Sequence, residues 1–68
     1  MVLIFGKDSC PYTQAALADH RRRGVEYEYI NVRQNPPELQ RMLKYSKGQR
    51  CVPVIVDDDE VIVGFGGT

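Results

Sequence analysis

Cys10 is the residue of this chain best placed to do chemistry. It follows the short apolar run Val2-Leu3-Ile4-Phe5 and the turn residues Lys7-Asp8-Ser9, and it immediately precedes Pro11. Proline is favoured at the first helical position, where its missing N–H would lack a partner anyway. A helix is therefore expected to start here, with Cys10 at or next to its cap. A helix N-terminus offers free N–H donors and about half a positive charge. The ammonium of Lys7 stands three residues before the thiol. Both favour thiolate over thiol, and such settings bring a cysteine pKa from ~8.5 down to roughly 3.5–7.5. The competing reading, a buried and inert cysteine, conflicts with a turn sequence in which burial is not expected.

The other reactive residue types point elsewhere. Cys51 is the second of two cysteines. So few, so far apart, do not make the disulfide framework of a small secreted domain. Cysteine used as chemistry in a cytoplasmic protein is the expectation. Two cysteines and one histidine cannot complete a four-ligand zinc site in one chain, and no metal is expected. His20 falls on an apolar helical face and reads as a satisfied core histidine. Asp57-Asp58-Asp59-Glu60 lacks the spacing of a calcium loop and reads as a turn. Arg21-Arg22-Arg23 reads as a solvated helix end. Arg50, beside Cys51, reads equally as an attractor of acidic substrate or as plain surface.

Length and charge bound the class. Sixty-eight residues make one domain, 1–68. A chain this short buries only about 60% of its unfolded surface. Nine basic and nine acidic residues leave no net charge, which argues against a protein that lives on nucleic-acid phosphates. No apolar run approaches the ~18 residues of a membrane span. Lys7 and Asp8 interrupt the apolar start, so no secretory signal is expected after Met1.

The elements that must position Cys10 follow from the pattern. Val2-Leu3-Ile4-Phe5 lacks alternation and reads as a strand buried on both faces. Thr13, Ala16, Leu17 and His20 mark the buried face of the first helix, which ends at Arg21-Arg22-Arg23 with Gly24 in a left-handed position. Val25 to Val32 alternates in part and reads as a strand toward a sheet edge. Asn35-Pro36-Pro37-Glu38 predicts a second helix, with Asn35 as cap and Glu38 at the third position. Leu39, Met42 and Leu43 form its apolar stripe, and it ends near Ser46-Lys47-Gly48. Val54-Ile55-Val56 and Val61-Ile62-Val63 flank the acidic turn as an antiparallel hairpin. The order is β-α-β-α-β-β, with a parallel strand–helix–strand crossover and a hairpin joined antiparallel to the same sheet.

At this point the sequence resembles a known family. Cys10-Pro11-Tyr12-Thr13 is similar to the C-P-Y-C and C-P-Y-S motifs of glutaredoxins, with Lys7 at the position of their K-x-x-C-P-Y lysine. Cys51-Val52-Pro53 is similar to their T-V-P segment, whose proline is cis, and Phe65-Gly66-Gly67 to their I-G-G run. The four motifs stand in order over essentially the whole chain. The chain also resembles very small bacterial glutaredoxin-like proteins, some with selenocysteine at the position of Cys10. The implied fold is α/β and thioredoxin-like, with a four-stranded mixed sheet. The chain stops at Thr68, without the family's acidic residue and third, C-terminal helix.

The resemblance implies a glutathione-dependent thiol–disulfide oxidoreductase. Cys10 would take glutathione from a glutathionylated substrate as a mixed disulfide, and a second glutathione would regenerate it. A low-pKa thiol is both nucleophile and good leaving group. Thr13 in place of the second cysteine implies a monothiol route; its hydroxyl would donate to the thiolate, or Thr13 would simply pack in the first turn. Glutathione is the implied co-substrate. Lys7 would meet one of its carboxylates and Tyr12 would flank its sulfur. Gln40 would face the glycine carboxylate. Val52, before Pro53, would pair its backbone with the peptide. Gly66, Gly67 and Thr68 would cradle the γ-glutamyl end. Lys7 as a loop charge, Gln40 as an exposed helix residue and Gly66-Gly67 as a simple chain end are the structural alternatives.

Cys51 stands where the family usually has threonine, in the segment that approaches the active-site cysteine. It is either a resolving thiol for Cys10 or a small substitute for threonine. A Cys10–Cys51 disulfide requires Cα atoms within ~7 Å and would make the route a two-thiol one. A third reading is an iron–sulfur scaffold, two chains sharing a cluster through Cys10 and glutathione. Proline after the cysteine speaks against it, since cluster-binding relatives usually have C-G-F-S. A non-catalytic binding module is the remaining class. A monomer or a weak homodimer is expected.

Overall fold

The computed structural model describes residues 1–66; Gly67 and Thr68 lie outside the described residues. The chain runs β1 (Val2–Gly6), α1 (Pro11–Arg22), β2 (Tyr27–Asn31), α2 (Pro36–Ser46), β3 (Val54–Asp57) and β4 (Glu60–Val63). The four strands form one mixed sheet in the order β2-β1-β3-β4. β1 pairs parallel with β2, and both β1–β3 and β3–β4 pair antiparallel. This is the thioredoxin-like topology that the motifs imply.

The two-faced burial expected of β1 follows from its central place. Successive side chains of a strand point to opposite faces. Val2 and Ile4 pack with Ala16 and Leu17 of α1 and Ile55 of β3. Phe5 packs on the other face with Met42 of α2, Ile30, Val32, Val54 and Val56. Fully burying one such side chain contributes ~1.5–3 kcal/mol, so helices on both faces are what hold β1 in the middle. β2 lies at a sheet edge, as its mixed pattern predicts, but begins at Tyr27 rather than Val25. β4 forms the other edge, with Val61 and Ile62 exposed.

Helix α1 starts at Pro11 with Cys10 as its N-cap, and it buries Thr13, Ala16, Leu17 and His20 as the spacing predicts. Nδ1 of His20 lies 2.8 Å from the Ala16 carbonyl; the carbonyl accepts, so Nδ1 carries the proton, and the imidazole is satisfied inside the core. Gly24 follows with φ +72. The start of α2 differs in detail from the expectation. Asn35 is its N-cap residue, but the side chain does not cap; it donates to the Asn31 carbonyl at 2.9 Å. Pro36 and Pro37 remove two of the N–H groups a cap would serve, and the Glu38 N–H is taken by the Asn35 carbonyl at 2.9 Å. Glu38 pairs with Arg41 instead. Asp57 and Glu60 continue the hairpin ladder, so the connection is only Asp58-Asp59, with Asp58 at φ +53.

Candidate active site

The site forms where the end of β1 feeds the start of α1. Gly6 closes the strand, and a Cβ there would lie 2.6 Å from Oγ1 and 3.1 Å from Cβ of Thr13. The missing side chain is what lets the first helical turn sit against the strand end. The Lys7 carbonyl accepts the Cys10 N–H at 3.2 Å, and the Cys10 carbonyl accepts the Gln14 N–H at 3.1 Å. Cys10 thus has one extended backbone conformation (φ −90, ψ 118) and no side-chain cap competes for the helix end. Thr13 is fully buried beneath it.

Cys10 is only 8% exposed, which corrects the expectation of a turn too open to bury it. Burial is the largest single influence on its thiol and pushes the pKa up. The opposing influences are the N–H and the hydroxyl of Thr13, then the N–H of Tyr12, then the charge of Lys7. Together they win, and the thiol lies below the ordinary cysteine range. Hydrogen bonds at the helix terminus therefore do more than the lysine. Thr13 Oγ1 already accepts the Lys7 N–H at 3.5 Å, so its own proton is the one left for sulfur.

The loop before β3 completes the surroundings of the thiol. The Val52 carbonyl lies 3.9 Å from Cys10 Sγ, and the Val52–Pro53 peptide is cis. Cys51, the next residue back, is exposed, and both thiols are free. The Pro53 carbonyl accepts the Gly64 N–H at 2.7 Å, which draws the end of β4 alongside. Phe65 packs against the α1-side cluster, and Gly66 is exposed at φ +67.

A groove of about 440 Å³ opens beside this loop. Its apolar wall is Val32, Leu39, Met42 and Val52, and its charged lining is Lys7, Arg33 and Arg50. The ion pairs among the described residues join Asp19 to Arg22 and Arg23, and Glu38 to Arg41. None engages the groove cations. A chain with no net charge thus concentrates three cations in one concavity and four acidic residues, Asp57 to Glu60, where β3 turns into β4.

Of the residues singled out in the sequence, Lys7, Cys10, Thr13, Val52 and Pro53 converge here, with Arg50 in the groove wall. Tyr12 stands in the first turn of α1, 41% exposed. Gln40 is exposed on α2 and is not part of the groove lining. Gly67 and Thr68 lie outside the described residues. Three residues went unnoticed. Arg33 reaches the groove from the turn after β2, where nothing in the spacing ties it to Cys10. Asp8 and Tyr29 meet beside the thiol: the Tyr29 hydroxyl donates to Asp8 Oδ1 at 2.7 Å. Only the parallel register of β1 and β2, which pairs Ile4 with Tyr29, brings them together. Among the described residues no group of three His, Cys, Asp or Glu side chains is arranged to hold a metal ion.

The comparisons with known proteins bear on the fold and the family. A search of the curated proteins finds no match. Among solved structures, the chain is similar to a glutaredoxin from Archaeoglobus fulgidus, with 27% identity over 96% of this chain and 75% of that one, at a TM-score of 0.85. It is also similar to the glutaredoxin-like NrdH-redoxin of Escherichia coli, described as having a thioredoxin-like activity profile, with 29% identity, 96% and 83% coverage and a TM-score of 0.80. The thioredoxin-like protein BC3987, 24% identical over 97% of this chain and 89% of that one, shares the fold at a TM-score of 0.85. The glutaredoxin family model matches residues 2–62, nearly the whole chain, and the chain belongs to the glutaredoxin family as a thiol–disulfide oxidoreductase.

Proposed function

We propose that this oxidoreductase reduces glutathione mixed disulfides by a monothiol route through Cys10. The Cys10 thiolate attacks the glutathionyl sulfur of the substrate, and the substrate thiolate leaves. The resulting Cys10–glutathione disulfide is attacked by a second glutathione thiolate. Glutathione disulfide leaves and the Cys10 thiolate returns. Cys10 begins and ends the cycle as the thiolate, so the one proton released, that of the second glutathione thiol, ends on the displaced substrate thiolate. Donors aimed at the sulfur stabilise it both as nucleophile and as leaving group.

The observation that supports this reading is the groove lined by Lys7, Arg33 and Arg50 beside Val52. Glutathione is a small extended peptide with two carboxylates. Lys7 and the arginines would hold its carboxylates, and the Val52 backbone would pair with its amide. Tyr12 would flank the sulfur. Gln40, Gly66, Gly67 and Thr68 enter the site on the family resemblance. The route needs a compartment that keeps glutathione reduced, so the proposal includes a cytoplasmic location.

The test is steady-state reduction of a glutathionylated peptide with glutathione as reductant. Wild type and Cys51→Ser are expected to turn over alike, each saturating with glutathione. Loss of turnover in Cys51→Ser would sink the monothiol route. Arg33→Ala and Arg50→Ala are each expected to raise KM for glutathione roughly 1.5- to 5-fold, the range of a single exposed ion pair, with kcat unchanged. The effect should shrink as salt rises.

A second reading uses Cys51. The Val52 carbonyl lies 3.9 Å from Cys10 Sγ, so the backbone carrying Cys51 runs close to the thiol. In this cycle the Cys51 thiolate attacks the Cys10 sulfur of the mixed disulfide, the Cys10–Cys51 bond forms, and the thiolate of the substrate or glutathione leaves. The exposed position of Cys51 would suit its re-reduction by another protein.

A further inference from the structure

Two capping-type residues, Asp8 and Ser9, directly precede Cys10, yet no side chain caps α1 and its first turn carries no acidic residue. The Thr13 and Tyr12 N–H groups of that terminus instead favour the Cys10 thiolate and lower its pKa. A carboxylate two residues away would compete for the same N–H groups and would oppose the thiolate charge. The structure shows where that carboxylate goes. Asp8 Oδ1 accepts the Tyr29 hydroxyl at 2.7 Å, and the Asp8 carbonyl is held by Gln14 Nε2 at 3.0 Å. The Tyr29 ring packs against the cluster of Val2, Ile4, Ala16 and Leu17. Its strand position, opposite Ile4, makes it a rigid post.

We propose that Tyr29 is a positioning residue for the Cys10 thiolate: its hydroxyl holds the Asp8 carboxylate off the N-terminus of α1, leaving the Tyr12 and Thr13 N–H groups to the sulfur. The proposal rests on Cys10 being the reacting thiol but not on glutathione as its partner. Two electrostatic facts agree. Burial, the hydrogen bond to Asp8 and the charges of Asp8 and Cys10 push the Tyr29 phenol above its ordinary range, so it stays a neutral donor while Cys10 ionises. The influence of Cys10 on Tyr29 also puts the hydroxyl within electrostatic reach of the sulfur. The groups acting on the Cys10 thiol itself are Thr13, Tyr12 and Lys7; Asp8 is not one of them. The titratable and charged side chains on the elements around Cys10 are Lys7 and Asp8 of its own loop, Tyr12, Asp19, His20, Arg21 and Arg22 of α1, Tyr27, Glu28 and Tyr29 of β2, and Arg50 and Cys51 before β3.

The experiment is the pH dependence of iodoacetamide alkylation at Cys10, read on the Cys10 peptide by mass so that Cys51 does not contribute. Tyr29→Phe removes only the hydroxyl. It is expected to move the Cys10 titration to higher pH and to slow alkylation below it roughly 3- to 10-fold, the effect of one freed like charge nearby. Asp8→Asn alone should not move the titration upward. Tyr29→Phe/Asp8→Asn should return it to the wild-type position, because the released side chain no longer carries charge. A Tyr29→Phe profile identical to wild type would overturn the proposal. So would a double variant that keeps the full shift, since the hydroxyl would then act on sulfur directly. Far-UV circular dichroism of each variant confirms that the fold is retained. The readout uses no glutathione, so failure of the glutathione route leaves this result interpretable.

Discussion

Cys10→Ser is expected to abolish reduction of every disulfide substrate, lowering turnover by roughly a thousandfold or more. The size of the effect follows from the chemistry. Disulfide exchange passes through a covalent intermediate on the attacking sulfur, and an alcohol at this position is a far weaker nucleophile with no comparable anion at neutral pH. The surroundings cannot compensate. The donors of Thr13 and Tyr12 stabilise charge on an atom that the serine does not ionise. The fold should survive, because oxygen replaces sulfur at a cap position where serine is a favoured residue, so Tm should change little. Turnover and Tm measured on the same preparation check both halves. Substantial residual turnover in a folded Cys10→Ser protein would mean that Cys51 acts alone, and the assignment of Cys10 would be wrong.

Gly6→Ala should be the most disruptive small substitution in the site. The added methyl would fall within 2.6 Å of the Thr13 hydroxyl oxygen and 3.1 Å of its Cβ. Thr13 is fully buried in the first turn of α1 and has no room to retreat. Overpacking of this kind costs typically 1–3 kcal/mol, which in a domain of this size lowers Tm by roughly 5–20 °C. It also pushes the helix terminus off the strand end. The Cys10 thiol should then lose part of its stabilisation, and its alkylation should titrate at higher pH than in wild type. Thr13→Ala in the same chain removes the clashing atoms and should recover part of the lost stability. Thermal denaturation of the single and double variants checks the first effect, and alkylation against pH the second. An unchanged Tm would contradict the close approach of Gly6 and Thr13.

What could be read in advance divides by the range of the interaction. The four buried positions of α1, Pro11 at its start and Gly24 after its end are local consequences of helical period and proline chemistry. The central place of β1 follows from an apolar run with no polar face, and the edge place of β2 from Glu26 and Glu28 alternating with Val25, Tyr27 and Tyr29. The motif residues Lys7, Cys10, Thr13, Val52 and Pro53 converge because the fold they imply is the one present. The rest depends on register and packing. Asp8 and Tyr29 are far apart in the chain, and only the parallel pairing of β1 with β2 unites them. Arg33 joins Lys7 and Arg50 because β2 ends beside the start of β1's loop, a proximity with no signature in spacing. Asn35 keeps its cap position but not its capping bond, because two prolines leave fewer donors to satisfy. The burial of Cys10 was also invisible: a turn sequence says nothing of the Val52 loop that covers it.

The claim at the centre of this account is that one thiol, Cys10, carries the covalent intermediate. Intact mass after mild oxidation with glutathione tests it most directly, on wild type and on Cys51→Ser. The account predicts a single glutathionyl adduct on Cys10 in both proteins, released by added glutathione. A wild type that takes no adduct and loses two hydrogens, beside a Cys51→Ser variant that traps one, would contradict it and make Cys51 the resolving thiol.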